Sequence, residues 1–313
     1  MPSSIQNIIN MKVDRLYLHQ QDNFENKEHI NELRQYPLHI YLICKAQKIK
    51  YDAGRTQITP ETITHNFYTE LGGIREDIFI PMLNDLGITK ITSDYPFNLL
   101  TTFNSNGDVI FESKANLLLA ILSSQSGNYY EALNQEVLYV GQAFGKDGSR
   151  ITIDRLKTHE KAQKIYFDIQ SKFPDYEIWF LSMSFNELRI TMFKPWGDKI
   201  DKSKFFEELA QHEMVASTAI SMDQKITITE ACLIKYFNTY QYNKEYLNFP
   251  SPEHSTYDEC YKLDFASAAF ELTSHSVNLK LFSQDVAPSF VHYKSYYLHS
   301  DPDRQEMLKW FSQ

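Results

Sequence analysis

The pattern of apolar and polar positions is clearest between Glu136 and Ile165, where it predicts three consecutive elements. The run Val137–Val140 is β-branched and aromatic, which is typical of a strand. Three glycines then predict a loop, at Gly141, Gly145 and Gly148. Beyond them apolar residues recur at helical spacing with charges between them, which predicts an amphipathic helix. Arg155 and His159 are four positions apart and share one face of that helix, where they could hold a phosphate.

The N-terminal region mixes helix-like and strand-like segments. Leu38–Ile49 is apolar and β-branched, and its pattern fits either a buried strand or a core helix. Residues 59–62 predict a helix start, with Thr59 as the cap, and Arg75–Leu86 follows a Gly-Gly pair. We therefore expect two short helices packed as a hairpin. Such a pair could be a helix-turn-helix DNA reader, although a helical pair around a core is the commoner arrangement.

Other segments carry simpler signals. Phe97–Phe103 and Asp108–Phe111 flank a turn at residues 104–107, which predicts a β-hairpin. Lys114–Leu122 predicts a helix, and Glu177–Phe185 predicts a buried strand.

The C-terminal half predicts further helices and strands. We expect helices over residues 200–216 and from Thr227 or Thr229 onward. Strands are expected at Cys260–Phe270 and Ser276–Phe282, with a closing helix at Asp303–Phe311. Phe290–Tyr297 holds an aromatic cluster that could stack nucleobases, or could equally form a buried β-face or a protein interface.

Composition narrows the class of protein. The chain has 313 residues and a net charge of −9, so it can bury a large core but attracts a nucleic-acid backbone poorly as a whole. The chain has three widely spaced cysteines, Cys44, Cys232 and Cys260, and no CxxC pair. This pattern predicts reduced thiols and no zinc site. The N-terminus lacks an apolar signal core and no run approaches a membrane span, so we expect a cytoplasmic protein.

Basic residues are nevertheless concentrated around the predicted helix. Six of them stand against three acidic residues, Asp147, Asp154 and Glu160. The six are Lys146, Arg150, Arg155, Lys157, Lys161 and Lys164. A local positive excess suits a surface that faces phosphate, although such runs usually only solvate a helix.

Glu230 is the most unusual carboxylate in the sequence. It falls on the face of a predicted helix that also carries Leu233, Ile234 and Phe237. A carboxylate on a core-facing stripe is costly unless it is paired or binds a metal, so Glu230 is a candidate site residue.

Three of these segments together resemble the GIY-YIG nuclease superfamily, over roughly residues 127–246. Tyr139-Val140-Gly141 matches the second tyrosine motif, and Arg155 followed by His159 matches the motif helix. Residues 230–234 (EACLI), followed by Asn243, match the late glutamate–asparagine motif. For the first tyrosine motif the candidate is Gly127-Asn128-Tyr129, in which asparagine replaces the usual apolar residue.

The resemblance implies an α+β fold: a small antiparallel three-stranded sheet with flanking helices, plus extra α/β elements at both ends. It implies an N-terminal α/β region over residues 1–120 for recognition or interaction. The nuclease core would span 121–250, with an insertion near 186–224, and a β-rich extension with a closing helix would fill 251–313.

The resemblance also implies metal-dependent endonuclease activity, with Mg²⁺ or Mn²⁺ held by Glu230. The catalytic residues would be Tyr129, Tyr139, Arg155, His159 and Glu230, with a tyrosine as general base and Arg155 on the phosphate. Substrate-binding residues would be Gly141, Lys146, Arg150, Lys157 and Asn243. DNA is the expected partner, a second copy or protein partner could use either end of the chain, and bacterial antiviral defence is the implied role.

Each assignment has a simpler alternative. Tyr139 could be a core residue, Arg155 and His159 a solvated helix face, and Glu230 the partner of Lys225 or Lys235. For the chain as a whole the alternative is a catalytically inactive module that binds nucleic acid or protein in an assembly.

Overall fold

The structure is a computed structural model, and it describes residues 5–36, 38–145, 150–193 and 202–309. Within these residues the strands are β1 (Ile5–His19), β2 (Ile40–Gln47), β3 (Lys50–Tyr51), β4 (Gln57–Ile58), β5 (Thr62–Leu71), β6 (Ile74–Leu83), β7 (Lys90–Thr92), β8 (Leu99–Phe103), β9 (Val109–Lys114), β10 (Gln135–Gln142), β11 (Tyr176–Phe193), β12 (Ser267–Thr273), β13 (Leu281–Phe282) and β14 (Val291–Tyr297). The helices are α1 (Lys27–Gln35), α2 (Ala115–Ser126), α3 (Thr152–Leu156), α4 (Glu160–Lys172), α5 (Lys202–Ser217), α6 (Met222–Phe237), α7 (Asp258–Lys262) and α8 (Pro302–Leu308). Short 3₁₀ helices lie at Gln21–Glu25, Glu131–Leu133, Ser255–Tyr257 and His275–Val277.

A seven-stranded sheet dominates the fold, in the order β13-β10-β2-β11-β1-β12-β14. The expected fold class, a small three-stranded sheet with flanking helices, is therefore wrong. The chain is a mixed α/β protein whose main sheet takes strands from all three expected regions: 1–120, 121–250 and 251–313. The sequence did not show this because β1 pairs with β11 and β12, both far away along the chain.

Strand β2 lies near the middle of this sheet and is buried on both faces. Ile40, Leu42 and Cys44 pack on one face with α6, while Tyr41 and Ile43 pack on the other face with α3 and α4. A strand covered on both sides has a continuous apolar sequence, which explains why periodicity alone could not distinguish it from a core helix.

A β-bulge in β10 turns Tyr139 toward the α3–α4 face. Val137 pairs with Cys44, but Tyr139 pairs with Ile43, so Leu138 is the extra residue. Leu138 and Tyr139 consequently pack on the same face, whereas regular alternation would have sent Tyr139 to the α6 face.

Residues between β2 and β10 form two smaller sheets and α2, with an apolar cluster of their own. Strands β5 and β6 form a hairpin where we expected two helices, so that prediction and the helix-turn-helix alternative are wrong. Gly72 and Gly73 make its two-residue turn with φ of +58° and +82°. Positive φ at both positions is what a type I′ hairpin turn requires, and glycine adopts it without strain.

The predicted helix after the glycine loop is divided into two. Helix α3 ends at Leu156, and α4 begins at Glu160 with His159 as its N-cap. Several other predictions are confirmed, namely α2, the β8–β9 hairpin, β11, α5 and α8. The late helix also exists, as α6, but it begins at Met222 rather than at Thr227.

All three cysteines are free and buried. Across the described residues, no helix is both long and apolar enough to cross a membrane.

The buried His292 on β14 should make the free energy of unfolding depend on pH. It is buried against Tyr236 and Phe237 of α6, with Nε2 3.0 Å from the Ser289 carbonyl oxygen and Nδ1 3.2 Å from the Tyr236 hydroxyl. Burial lowers the pKa of His292 to about 4. The unfolded chain takes up this proton below about pH 6.5, whereas the folded protein does not until about pH 4, so acid favours unfolding in that window.

We therefore compare the wild type with His292→Gln, which cannot titrate. The stability difference between them should shrink by at most about 3 kcal/mol as the pH falls from 7 to 4. Urea unfolding at several pH values measures this difference, and a difference that does not change with pH would contradict the prediction.

Candidate functional site

A cavity of about 180 Å³ lies where β2, β10, α3, the start of α4 and α6 meet. It is lined by Tyr41, Tyr139, Gln142, Arg155, His159, Lys161, Glu230, Asn243, Lys244 and Glu245. Four of the five expected catalytic residues line it together: Tyr139, Arg155, His159 and Glu230. They come from four different elements, so the fold rather than local sequence assembles this site.

The pairing of β2 with β10 places two tyrosines side by side. Tyr41 pairs directly with Gly141, and the ring centroids of Tyr41 and Tyr139 are 6.0 Å apart. A Cβ at Gly141 would lie 2.4 Å from Cζ of Tyr41 and 2.8 Å from Cε1 of Tyr139. Glycine is therefore required at 141 because the two rings occupy the space of a side chain.

His159 completes an aromatic group with the two tyrosines. Its ring centroid is 5.6 Å from that of Tyr139 and 6.1 Å from that of Tyr41. Burial, followed by the positive charges of Arg155 and Lys161, lowers the pKa of His159 to about 4. The imidazole is therefore neutral at physiological pH.

Glu230 is the buried carboxylate of the cavity, with 5% of its surface exposed. Burial raises its pKa to about 8, and the nearby charge of Glu245 contributes in the same direction. Lys161 and Arg155 partly oppose this rise. The alternative partner Lys225 is instead paired with Glu187 at 2.7 Å.

The same electrostatic environment acts on the tyrosines. Burial is the main cause that raises the pKa of Tyr139 to about 12, and the charge of Glu230 is the second. Burial likewise raises the pKa of Tyr41, which the charge of Arg155 partly opposes. A cation bound beside Glu230 would offset one cause of the rise at Tyr139.

Three buried polar atoms in the cavity have no hydrogen-bond partner among the described residues. They are Oη of Tyr41, Nδ1 of His159 and Oε2 of Glu230. Arg155 is close enough to lower the pKa of Tyr41 but does not make a well-formed hydrogen bond to its hydroxyl. Unsatisfied buried polar atoms are uncommon and costly, so these three are the atoms of the site at which a bound water or ligand would be favourable.

Asn243 connects the segment after α6 to strand β10. Its Oδ1 accepts from the Val140 backbone N–H at 3.1 Å, and its Nδ2 donates to the Val140 carbonyl at 2.8 Å. Both groups of the side chain are therefore engaged with β10. Through these bonds Asn243 holds the segment that carries Lys244 and Glu245 against β10.

The structure separates Tyr129 from the other expected catalytic residues. Tyr129 does not line the cavity; its hydroxyl donates to Asn134 Oδ1 at 2.6 Å, and its ring packs edge-on against Phe290. The Lys280 backbone N–H also donates to the Tyr129 hydroxyl, at 3.0 Å. After the turn at Gly127, Tyr129 packs against the apolar cluster that contains the buried residues of α2.

The expected substrate-binding residues have mixed outcomes. Gly141 lies in the site through its backbone, as described above. Arg150 and Lys157 do not line the cavity, and the Arg150 guanidinium is 3.5 Å from the Thr158 hydroxyl. Lys146 lies outside the described residues.

Sequence reasoning missed Tyr41, Gln142, Lys244 and Glu245. Tyr41 is hidden in the continuous apolar run of β2, where nothing distinguishes it from a core tyrosine. Gln142 follows the motif residue Gly141, and Lys244 and Glu245 follow the motif residue Asn243, so proximity in sequence could have suggested these three.

The donor set fits one hard divalent cation. Mg²⁺ is usually held by one or two carboxylates together with water and substrate phosphate oxygens. Glu230 offers an unpartnered carboxylate oxygen, and Glu245 lies in the same cavity. Within the described ranges no group of three or more His, Cys, Asp and Glu residues could form an all-protein metal cage.

The close approach at Gly141 makes a prediction. Gly141→Ala should lower the unfolding free energy by about 1–3 kcal/mol, because the new methyl overlaps the Tyr41 and Tyr139 rings. Gly54→Ala is the matched control, since its Cβ would meet only Asp52 Oδ1 at 3.4 Å. Urea denaturation measures the unfolding free energy of both variants. Equal losses in the two variants would contradict the predicted overlap between a side chain at 141 and the tyrosine rings.

Comparison with known proteins leaves the geometry as the basis for assigning function. No family model, curated protein or solved structure matches this chain. Function must therefore be argued from the side chains that the fold brings together in the cavity.

Proposed function

We propose that this protein is a metal-dependent endonuclease that hydrolyses phosphodiester bonds, with DNA as its substrate. The observation that carries the proposal is the arrangement of Tyr41, Tyr139, Arg155, His159 and Glu230 around one cavity. These residues combine an anion-binding guanidinium, a neutral imidazole and a buried carboxylate, which are the groups that phosphate hydrolysis needs.

The site residues, but not the fold, are the part of the resemblance to the GIY-YIG nucleases on which this proposal rests. The first tyrosine of that pattern would be Tyr41 instead of Tyr129. Tyr41 is adjacent to Tyr139 across β2 and β10, although the two are far apart in the sequence. A long insertion separates β2, which carries Tyr41, from β10, which carries Tyr139. Tyr41 therefore lies far from the other motif residues in the sequence.

Positive charge in the cavity supports phosphate binding. Arg155 and Lys161 both line it, and the Lys161 ammonium lies 5.7 Å from the centroid of the Tyr139 ring. A guanidinium presents a planar fork of donors that matches phosphate oxygens as their charge increases in the transition state. Arg155 would take this role, with Lys161 adding a charge at the start of α4.

Glu230 would hold the divalent cation, Mg²⁺ or Mn²⁺, with Glu245 close by. When bound, the ion would neutralise phosphate charge and lower the pKa of a coordinated water. Cation binding needs the ionised carboxylate, whereas the raised pKa of Glu230 favours the protonated form. Metal binding should therefore release a proton near neutral pH.

His159 would orient the attacking water by accepting a hydrogen bond from it, because a pKa of about 4 makes the imidazole a weak base. Its depressed pKa keeps it neutral, and Nδ1 is among the atoms without a partner. In the tautomer with hydrogen on Nε2, Nδ1 is available as an acceptor. The tyrosines have raised pKa values and would act first as hydroxyl donors that orient the water or the phosphate.

A role in bacterial defence against foreign DNA follows only by analogy with the resemblance, and belongs to the same proposal. The alternative, an inactive binding module, rested on the imperfect first tyrosine motif. Tyr41 provides a tyrosine in the cavity, which removes that reason for preferring the alternative.

The proposal predicts cleavage of plasmid DNA in the presence of Mg²⁺ or Mn²⁺ and none after chelation. Glu230→Gln and Arg155→Ala should each lower kcat by about 100-fold or more, because one removes the metal carboxylate and the other the phosphate donor. Lys157→Ala is the charge-matched control for Arg155, since Lys157 is exposed and does not line the cavity.

The proposal fails if purified wild type cuts neither DNA nor RNA with either metal. It also fails if both site variants cut as fast as the wild type. The first result would favour the binding-module alternative, and the second would show that the cleavage does not depend on this cavity.

A second prediction concerns which tyrosine belongs to the site. Tyr41→Phe should lower kcat by at least about tenfold, because it removes the hydroxyl that lacks a partner in the cavity. Tyr129→Phe should leave kcat close to wild type, since its hydroxyl bonds Asn134 and Lys280 elsewhere. The opposite ranking in a cleavage assay would return Tyr129 to the site and exclude Tyr41.

A further inference from the structure

A second cavity, of about 360 Å³, lies next to the candidate site. Its walls come from β1, the end of α1, the start of β2, β11 and the first half of α6. Two pairs of consecutive residues separate the cavities: Ile40 and Thr229 line this one, while Tyr41 and Glu230 line the site. Ile40 and Tyr41 point to opposite faces of β2, so the backbone of β2 and of α6 separates the two neighbouring cavities.

We propose that this second cavity binds a nucleobase of the nucleic acid whose phosphate occupies the candidate site. The inference rests on the proposed function and adds the part of the substrate that the enzyme recognises. A volume of about 360 Å³ falls within the range of small-molecule sites.

The mouth of the cavity carries a stacked cation–π pair. The guanidinium carbon of Arg15 lies 3.6 Å from the centroid of the Tyr36 ring, and both side chains are about 40% exposed. Among the described residues no second aromatic ring covers the Arg15 guanidinium. Nucleobases stack on arginine planes and on aromatic rings, so this pair provides a planar surface for a base.

A β-bulge positions Arg15 at the cavity. Val13 pairs with Phe185 and Arg15 pairs with Ser184, which leaves Asp14 as the extra residue in β1. Bulges redirect side chains at functional sites, and here both Asp14 and Arg15 line the cavity as a result. The ion pair between them joins Arg15 Nε to Asp14 Oδ2 at 3.7 Å.

The charges of the cavity suit an uncharged aromatic ligand better than a second phosphate. Arg15 is paired with Asp14, and Lys225 is paired with Glu187 at 2.7 Å. Positive charge here is therefore already balanced. The deeper walls are apolar and rich in methionine, at Met11, Met183 and Met222. Thioethers make favourable contacts with aromatic rings.

Polar atoms at the cavity can bond the edge of a base. The Ser184 hydroxyl oxygen is buried without a hydrogen-bond partner in the described part of the chain. His39 Nδ1 lies 3.0 Å from the Ala143 carbonyl oxygen, so Nδ1 carries the hydrogen and Nε2 is left as an acceptor. Proteins read an unstacked base by stacking together with hydrogen bonds to its edge, and here the Ser184 hydroxyl and His39 Nε2 would make those bonds.

The test uses DNA oligonucleotides with the fluorescent base 2-aminopurine placed at each position in turn. Binding is measured with Ca²⁺, which binds carboxylate oxygens without the octahedral geometry that Mg²⁺ requires. We expect stacking to quench the fluorescence at one position with the wild type. Arg15→Ala should abolish that quench, and should raise KM about tenfold with little change in kcat.

Three further variants separate stacking from charge and from misfolding. Arg15→Lys keeps the charge but loses the planar group, so it should lose the quench like Arg15→Ala. Tyr36→Phe keeps the ring and should keep the quench. Lys12→Ala is the matched control for a lost β1 charge, since Lys12 is half-exposed, pairs with Glu271 at 2.9 Å and lies outside the cavity.

Absence of a quench at every position would overturn the base pocket, whether or not the protein cleaves DNA. A quench that persists in Arg15→Ala, or full rescue by Arg15→Lys, would also overturn it. Failure of metal-dependent cleavage with the quench intact would instead overturn the proposed nuclease activity and leave a base-binding protein.

Discussion

The antiparallel pairing of β2 with β10 is the constraint on which the candidate site depends. It sets Tyr41 opposite Gly141 and, through the bulge at Leu138, brings Tyr139 to the same face. A register shift of one residue would send Tyr41 to the α6 face and place Ile40 or Leu42 in the cavity. Close packing on both faces of β2 opposes that shift, because Leu42 and Ile43 are fully buried in two different apolar clusters. Packing of the core therefore determines which side chains line the cavity.

The candidate site lowers the stability of the fold around the β2–β10 pair. Leaving a buried polar atom without a partner costs about 1–3 kcal/mol, and three such atoms surround this cavity. The fold tolerates them because strong contacts border them, such as the two bonds from Asn243 to Val140. Local stability in the surroundings thus permits these side chains to remain unsatisfied.

The sequence predicted the part of the site that short motifs contain. Tyr139, Arg155, His159 and Glu230 were each identified by a motif or by a polar residue on an apolar face, and one cavity contains them all. Tyr41 was not identifiable, because the first tyrosine motif was expected shortly before Tyr139 in the sequence. An insertion with its own core separates the two strands instead. The hairpin in that insertion was predictable, because Gly72-Gly73 is a type I′ turn signal that we interpreted as a break between helices.

The width of the main sheet could not be predicted for a more general reason. A hydrophobic pattern reports that a strand is buried, but it does not report which strand lies beside it. Strand β1 pairs with β11 in one direction and with β12 in the other, so its neighbours come from the middle and the end of the chain. The same pairing creates the bulge that places Arg15 beside the candidate site. Candidate site residues within short motifs are thus visible in the sequence, whereas the proposed recognition surface, which non-local pairing creates, becomes visible only in the fold.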